Sequence, residues 1–152
     1  MTNPISQSPS LVDFIAWTRT VMGIPTTAIP DADPGYAVAF QIALDLVPTD
    51  LGMFSPDIYT LTVYNWGGSQ LLQMQQDIVG QTFFSDARKA YGINNFVAGV
   101  INTASDVTTS ESLSVGLGLQ NLDLLSLQRI KDPYGRQAIA YMQSIGTLWG
   151  LT

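Results

Sequence analysis

Apolar residues fall along this chain in blocks, and most blocks open with the same local grammar. Ser10 precedes Leu11, Phe14, Ile15 and Met22, which recur near helical spacing, and Gly23 with Pro25 just beyond closes the run. A side-chain acceptor at the start and a glycine at the stop predict a helix over 11–22. Asp33-Pro34, Ser55-Pro56 and Asp132-Pro133 repeat the device. In each, an oxygen acceptor sits at the cap and a proline with a preset φ takes the first turn. Helices are therefore predicted to begin at 34, at about 56 and at 133.

The blocks differ in how their apolar positions are spread. Tyr36, Val38, Phe40, Ile42, Leu44, Leu46 and Val47 point all round a helix, with Gln41 and Asp45 as a narrow polar stripe. That pattern predicts the most buried helix of the fold. From 57 to 76, Ile58, Leu61, Tyr64, Leu71 and Leu72 form one face, interrupted by Gly67-Gly68. Two interior glycines cost about 1 kcal/mol each relative to alanine, so they mark a kink or, as the preferred account, a close helix crossing. A short helix over 84–91 ends at Gly92. Asn121 is placed to cap a helix over 122–131, and Ile139, Met142 and Ile145 share a stripe that stops at Gly146.

Between 93 and 116 the texture turns to Asn, Thr, Ser, Val and Gly. This reads as extended chain, either a hairpin pairing 95–101 with 112–115 across the polar connection 102–111, or a long arm. Residues 1–9 have almost nothing to bury and read as a flexible leader. The expected architecture is mainly α: a compact helical bundle over 10–128 with an extended or β-hairpin insert at about 93–118, followed by a C-terminal docking arm over 129–152.

Composition adds a reason to expect assembly. The chain is 46% apolar and 12% charged, against about a quarter charged in ordinary domains, so one folded copy is expected to own more apolar surface than it hides. The longest nearly apolar segment, 36–47, is shorter than the about 20 residues a membrane span needs. No secretory signal opens the sequence, and folding in a cytoplasm is expected. Cysteine and histidine are both absent, which removes thiolate nucleophiles, disulfides, the commonest general base and the commonest metal ligand. No cofactor, metal or catalytic site is expected. An enzyme made from what remains would rest on carboxylates, Lys, Tyr or Ser alone.

The net charge of −6 is unevenly spread: residues 1–87 hold eight acids and one base, Arg19, whereas 88–152 hold four acids and five bases. Arg129, Lys131 and Arg136 cluster near the C-terminus, as a solvated face or a contact surface. Six cations in all disfavour nucleic-acid binding through a basic surface. Gly116-Leu117-Gly118 lacks the third glycine of a dinucleotide loop. Asp31-Ala32-Asp33 with Gly35 has the start of a calcium loop without its further ligands, and turn and cap chemistry account for both acids. Trp17, Tyr59, Tyr64, Trp66, Phe83 and Phe84 read as core. Tyr134 and Trp149 stand beside the basic cluster, a combination typical of interface anchors.

Three stretches carry a resemblance: Ser85-Asp86-Ala87-Arg88-Lys89-Ala90-Tyr91-Gly92-Ile93, then Phe96-Val97-Ala98-Gly99-Val100-Ile101, and Lys131-Asp132-Pro133-Tyr134-Gly135-Arg136 with Trp149-Gly150-Leu151. Tyr59-Thr60-Leu61-Thr62-Val63-Tyr64-Asn65 has the same flavour. In texture and order they resemble the head-to-tail connector, or adaptor, proteins of tailed bacteriophages. The resemblance implies a virion protein that forms a dodecameric homo-oligomeric ring beneath the portal protein and above a downstream tail or neck protein. DNA would pass through a central channel without sequence-specific binding, beside a wall to which the acid-rich first half contributes. No active site is implied. Mapped onto the docking arm, the partner-binding residues would be Arg129, Lys131, Pro133, Tyr134, Arg136, Leu148, Trp149 and Leu151. Two alternatives stand beside this: another virion part, such as a tail terminator, tail tube or decoration subunit, and a small hydrolase built on a carboxylate pair.

Overall fold

The computed structural model describes residues 8–95, 103–105, 110–112 and 124–145. They form a mainly helical fold in the order α1 (Leu11–Thr20), α2 (Pro34–Leu46), α3 (Asp50–Phe54), α4 (Pro56–Met74), α5 (Phe83–Tyr91), β1 (Thr103–Ser105), β2 (Ser110–Ser112), α6 (Leu124–Arg129) and α7 (Pro133–Ser144). The caps account for the starts. The Ser10 hydroxyl accepts from the Asp13 amide, the Asp33 carboxylate from Gly35, the Ser55 hydroxyl from Ile58 and the Asp132 carboxylate from Gly135. Gly23 at φ 69° and Gly92 at φ 65° adopt the left-handed conformation that closes α1 and α5, which L side chains resist.

The centre of the fold is α4, with α1, α2, α3, α5 and α7 all packed against it. Every residue from 62 to 69 is buried. This corrects the expectation that the second helix would be the most buried: α2 leaves Val38 and Leu46 each 45% exposed. The physical reason lies in how α4 handles its polar residues. Thr62 Oγ1 donates to the Ile58 carbonyl at 2.6 Å and Asn65 Nδ2 to the Leu61 carbonyl at 2.8 Å. Back-bonded in this way, Thr62 and Asn65 enter the core with these donors met, whereas an apolar helix is buried only as far as its neighbours reach.

Gly67 and Gly68 do not break α4, which runs uninterrupted from Pro56 to Met74. They make room for α1. A β-carbon at Gly67 would stand 2.9 Å from Phe14 Cζ, and one at Gly68 would stand 2.8 Å from Met22 Sδ and 3.0 Å from Trp17 Cζ3. Phe14, fully buried, then collects Tyr36, Phe40 and Tyr64 around it at ring separations of 6.2, 5.6 and 5.8 Å. Tyr64 also accepts from the Ser10 amide at 3.2 Å and so ties the start of α1 to the core. Of the aromatics expected in the core, Tyr64, Trp66 and Phe84 are buried, while Trp17, Tyr59 and Phe83 are partly buried and packed against it.

The second half departs from expectation in two places. The antiparallel ladder pairs Thr103 with Ser112 and Ser105 with Ser110, so all of it but Ser112 falls in the stretch read as a polar connection, 102–111; the expected strand 95–101 lies almost wholly outside the described residues, as do residues 113–115 of the expected strand 112–115. Residues 129–145, expected as part of a docking arm, belong to the helical core: Arg129, Ala138, Ile139 and Met142 are buried, and α7 lies along α4. Residues 1–7 of the leader and 146–152 of the tail lie outside the described residues. No described helix is long and apolar enough to cross a membrane.

Candidate functional site

The α6–α7 corner holds most of the residues singled out in the sequence, and its geometry separates them. Asp132, fully buried, caps α7 by accepting from the Gly135 amide at 2.8 Å, and Ser69 Oγ of α4 donates to its other oxygen at 2.6 Å. Burial pushes the Asp132 carboxyl above its usual range, against the pull of those hydrogen bonds and of Arg129 nearby. Gly135 is fixed by the same approach, because an added β-carbon would run into the Arg129 carbonyl and crowd Ser69 Oγ. The chain therefore turns from α6 to α7 around a point where backbone meets backbone.

Arg129 was expected on a partner-facing surface; it is 1% exposed. Its guanidinium carbon lies 5.0 Å from the Trp66 ring centroid, and Nη2 donates to Gln70 Oε1. Among the described residues Arg129 Nε and Nη1 and Trp66 Nε1 have no hydrogen-bond partner. Desolvation pulls the guanidinium down to about 10, and the Asp132 charge opposes the shift. With Arg129 and Asp132 at 1% and 0% exposure, the arrangement works as a fastening between α4, α6 and α7. Burial of the charge is offset by the Asp132 carboxylate, the Trp66 ring and the one hydrogen bond to Gln70, the kind of partners a buried cation requires.

Lys131 is also engaged internally: Nζ donates to the Ile93 carbonyl at 3.2 Å and to the Asn95 carbonyl, which clamps the end of α5. Arg136 is exposed. Pro133 and Tyr134, with Gln137 and Tyr141, form one wall of an open groove of about 350 Å³, faced by Trp17 of α1 and Leu61 and Asn65 of α4. Tyr134 meets Trp17 edge-on at 5.9 Å, and burial pushes its hydroxyl above the usual value. The structure thus places Pro133 and Tyr134 on one groove wall, buries Arg129, and ties the half-buried Lys131 to the end of α5. Leu148, Trp149 and Leu151 lie outside the described residues.

Sequence reasoning missed Ser69, Gln70, Trp66 and Gly135 as members of this corner. The run Gly67-Gly68-Ser69 carried the available signal, since three small residues in one helix mark a close approach. Elsewhere, Asp31 pairs with Arg19 at 2.5 Å and Asp33 serves as the α2 cap at 2.7 Å from the Gly35 amide. Those contacts account for the two acids of the calcium-like stretch. Among the described residues no three acidic side chains gather as a metal site. No family model, curated protein or solved structure matches the chain.

Proposed function

We propose that the protein is a structural subunit of a bacteriophage neck, an adaptor that assembles into a ring between portal and tail and lines the DNA channel. The observation that carries this reading is apolar surface left in solvent on a charge-poor chain: Met53 and Phe54, before α4, are 84% and 70% exposed, and Ile78 and Val79, after it, are 42% and 101% exposed. Single exposed apolar residues are ordinary, but large ones on adjoining positions, as in each of these pairs, mark an interaction surface. The mainly helical fold and the sequence resemblance to connector proteins support the same reading.

The distribution of charge supports the channel. Of six cations, Arg19 pairs with Asp31, Arg88 donates to the Leu72 and Gln75 carbonyls, Lys131 donates to the Ile93 and Asn95 carbonyls, and Arg129 is buried. Asp31, Asp45, Asp50, Asp57 and Asp86 are exposed. These exposed acids outnumber the two exposed bases, Lys89 and Arg136, and a surface with an excess of carboxylate repels phosphate, so DNA passes without adhering. The portal protein encoded by the same genome supplies the test. Sedimentation and native mass measurement of the two together are expected to show a ring of this chain bound to the portal ring, and a chain that ignores the portal at tens of micromolar would overturn the proposal.

A further inference from the structure

The two ends of α4 carry unlike surfaces. At its start, residues 45–57 gather three exposed acids, Asp45, Asp50 and Asp57, around Leu46, Met53 and Phe54, which are 45%, 84% and 70% exposed; no base occurs in this stretch. Toward its other end the Ser69–Asp132 bond sets the beginning of α7 beside α4, and Lys131 ties that beginning to the end of α5. That region presents the two exposed bases, Lys89 and Arg136, with Tyr91 and Leu125 at 38% and 40% exposure. Asp86, the acid on α5, is turned back toward its own first turn, accepting from Thr82 Oγ1 at 2.8 Å. Asp57 and Ser69 are 12 positions apart on one helix, about 18 Å along its axis.

We infer that the acidic, apolar corner of one copy docks on the basic, aromatic end of a second copy, so that the ring contact is head-to-tail. Opposite charge on the two surfaces selects this partner. Two corners facing each other would set six carboxylates together, which costs several kcal/mol in like-charge contact. Phe54 and Met53 supply the apolar centre, and Lys89 and Arg136 meet the aspartates at the rim. A contact between unlike patches propagates, and it closes into a ring when its rotation divides the circle. This inference rests on the neck reading and names the interface that reading leaves open.

Sedimentation velocity over rising concentration at low salt tests it. The wild type is expected to self-associate, more weakly as salt is raised. Phe54→Asp, or Met53→Asp as a second corner variant, and the end variant Lys89→Glu/Arg136→Glu are each expected to lose association by about tenfold or more while keeping the helical circular dichroism of the wild type. Mixing corner and end variants is decisive, because each retains the face the other lacks: the mixture is expected to form a one-to-one dimer and stop there. A wild type that stays monomeric, a single variant that still associates, or a mixture that does not pair would each overturn the head-to-tail contact. Association gained after removal of residues 146–152 would show the chain's own tail on the corner, and would overturn it too. A portal that captures this chain despite such a result leaves the neck reading standing, and self-association without portal binding does the reverse.

Discussion

Gly135 and Gly35 both sit in the first turn of a proline-led helix, yet alanine should affect them differently. At Gly35 the new β-carbon would meet the amide end of the Gln75 side chain, which can swing away, and the Asp33 carboxylate oxygen at 2.9 Å. At Gly135 it would meet the carbonyl of Arg129, which is held by α6 on one side and by the Asp132 cap on the other. Alanine favours either helix by about 1 kcal/mol, so Gly35→Ala should be near neutral. Gly135→Ala should cost about 2 kcal/mol or more through forced backbone movement, read as a drop in the urea midpoint. Asp132 gives a second prediction, through pH. Its carboxyl is raised, so the folded chain keeps the proton at pH values where the unfolded chain has released it. The stability linked to this proton is fully present below the ordinary carboxylate value and is lost as pH rises through the raised one. Asp132→Asn does not titrate, so its deficit against the wild type should be largest below about pH 4 and narrow toward neutrality; urea midpoints across that range check the sign.

Among the elements, α5 shows how a helix start is secured from a distance. Thr82, at its cap position, makes no side-chain cap bond; Asp77, in the loop after α4, accepts from the Phe84 and Ser85 amides at 2.8 and 2.9 Å instead. Burial raises the Asp77 carboxyl, but these bonds and Arg88 outweigh it and hold it below its usual value. Its contribution is therefore present above the ordinary carboxylate value and lost as pH falls through the lowered one. Asp77→Ala should cost about 1 kcal/mol, with faster amide exchange at Phe84 and Ser85. The proline-led starts at 34, 56 and 133 and the glycine stops at 23 and 92 were legible in the sequence because cap chemistry is local. The remote Asp77 cap was not, nor was the burial of α4 over α2, because both depend on which elements meet in space. The same division runs through the candidate site. Pro133 and Tyr134 do share a groove wall, but a basic residue beside a helix start reads as exposed until Trp66 and Gln70 are known to stand opposite Arg129. The ladder of residues 103–105 and 110–112 is built from Thr, Ala, Ser and Glu, which carry little alternating apolar signal to locate it.

At the scale of the whole molecule the open question is what surplus apolar chain is for, and residues 146–152 make it testable. The inner face of α7 is already closed over α4 by Ala138, Ile139 and Met142, and its start is pinned by Asp132 and Gly135. The Arg129–Trp66 contact and the Lys131 clamp hold the preceding turn. With α7 held at its start and along its inner face, removing residues 146–152 is expected to leave the helical circular dichroism unchanged and the stability within about 1 kcal/mol of the full chain. Portal binding should fall with it, because the deletion removes a tryptophan and two leucines of the kind that anchor interfaces. A truncated chain that unfolds would make the tail part of this domain's own core. One that folds and still binds the portal would move the docking surface to α7 and the groove it forms with α1 and α4, where Tyr134 and Arg136 become the residues to change next.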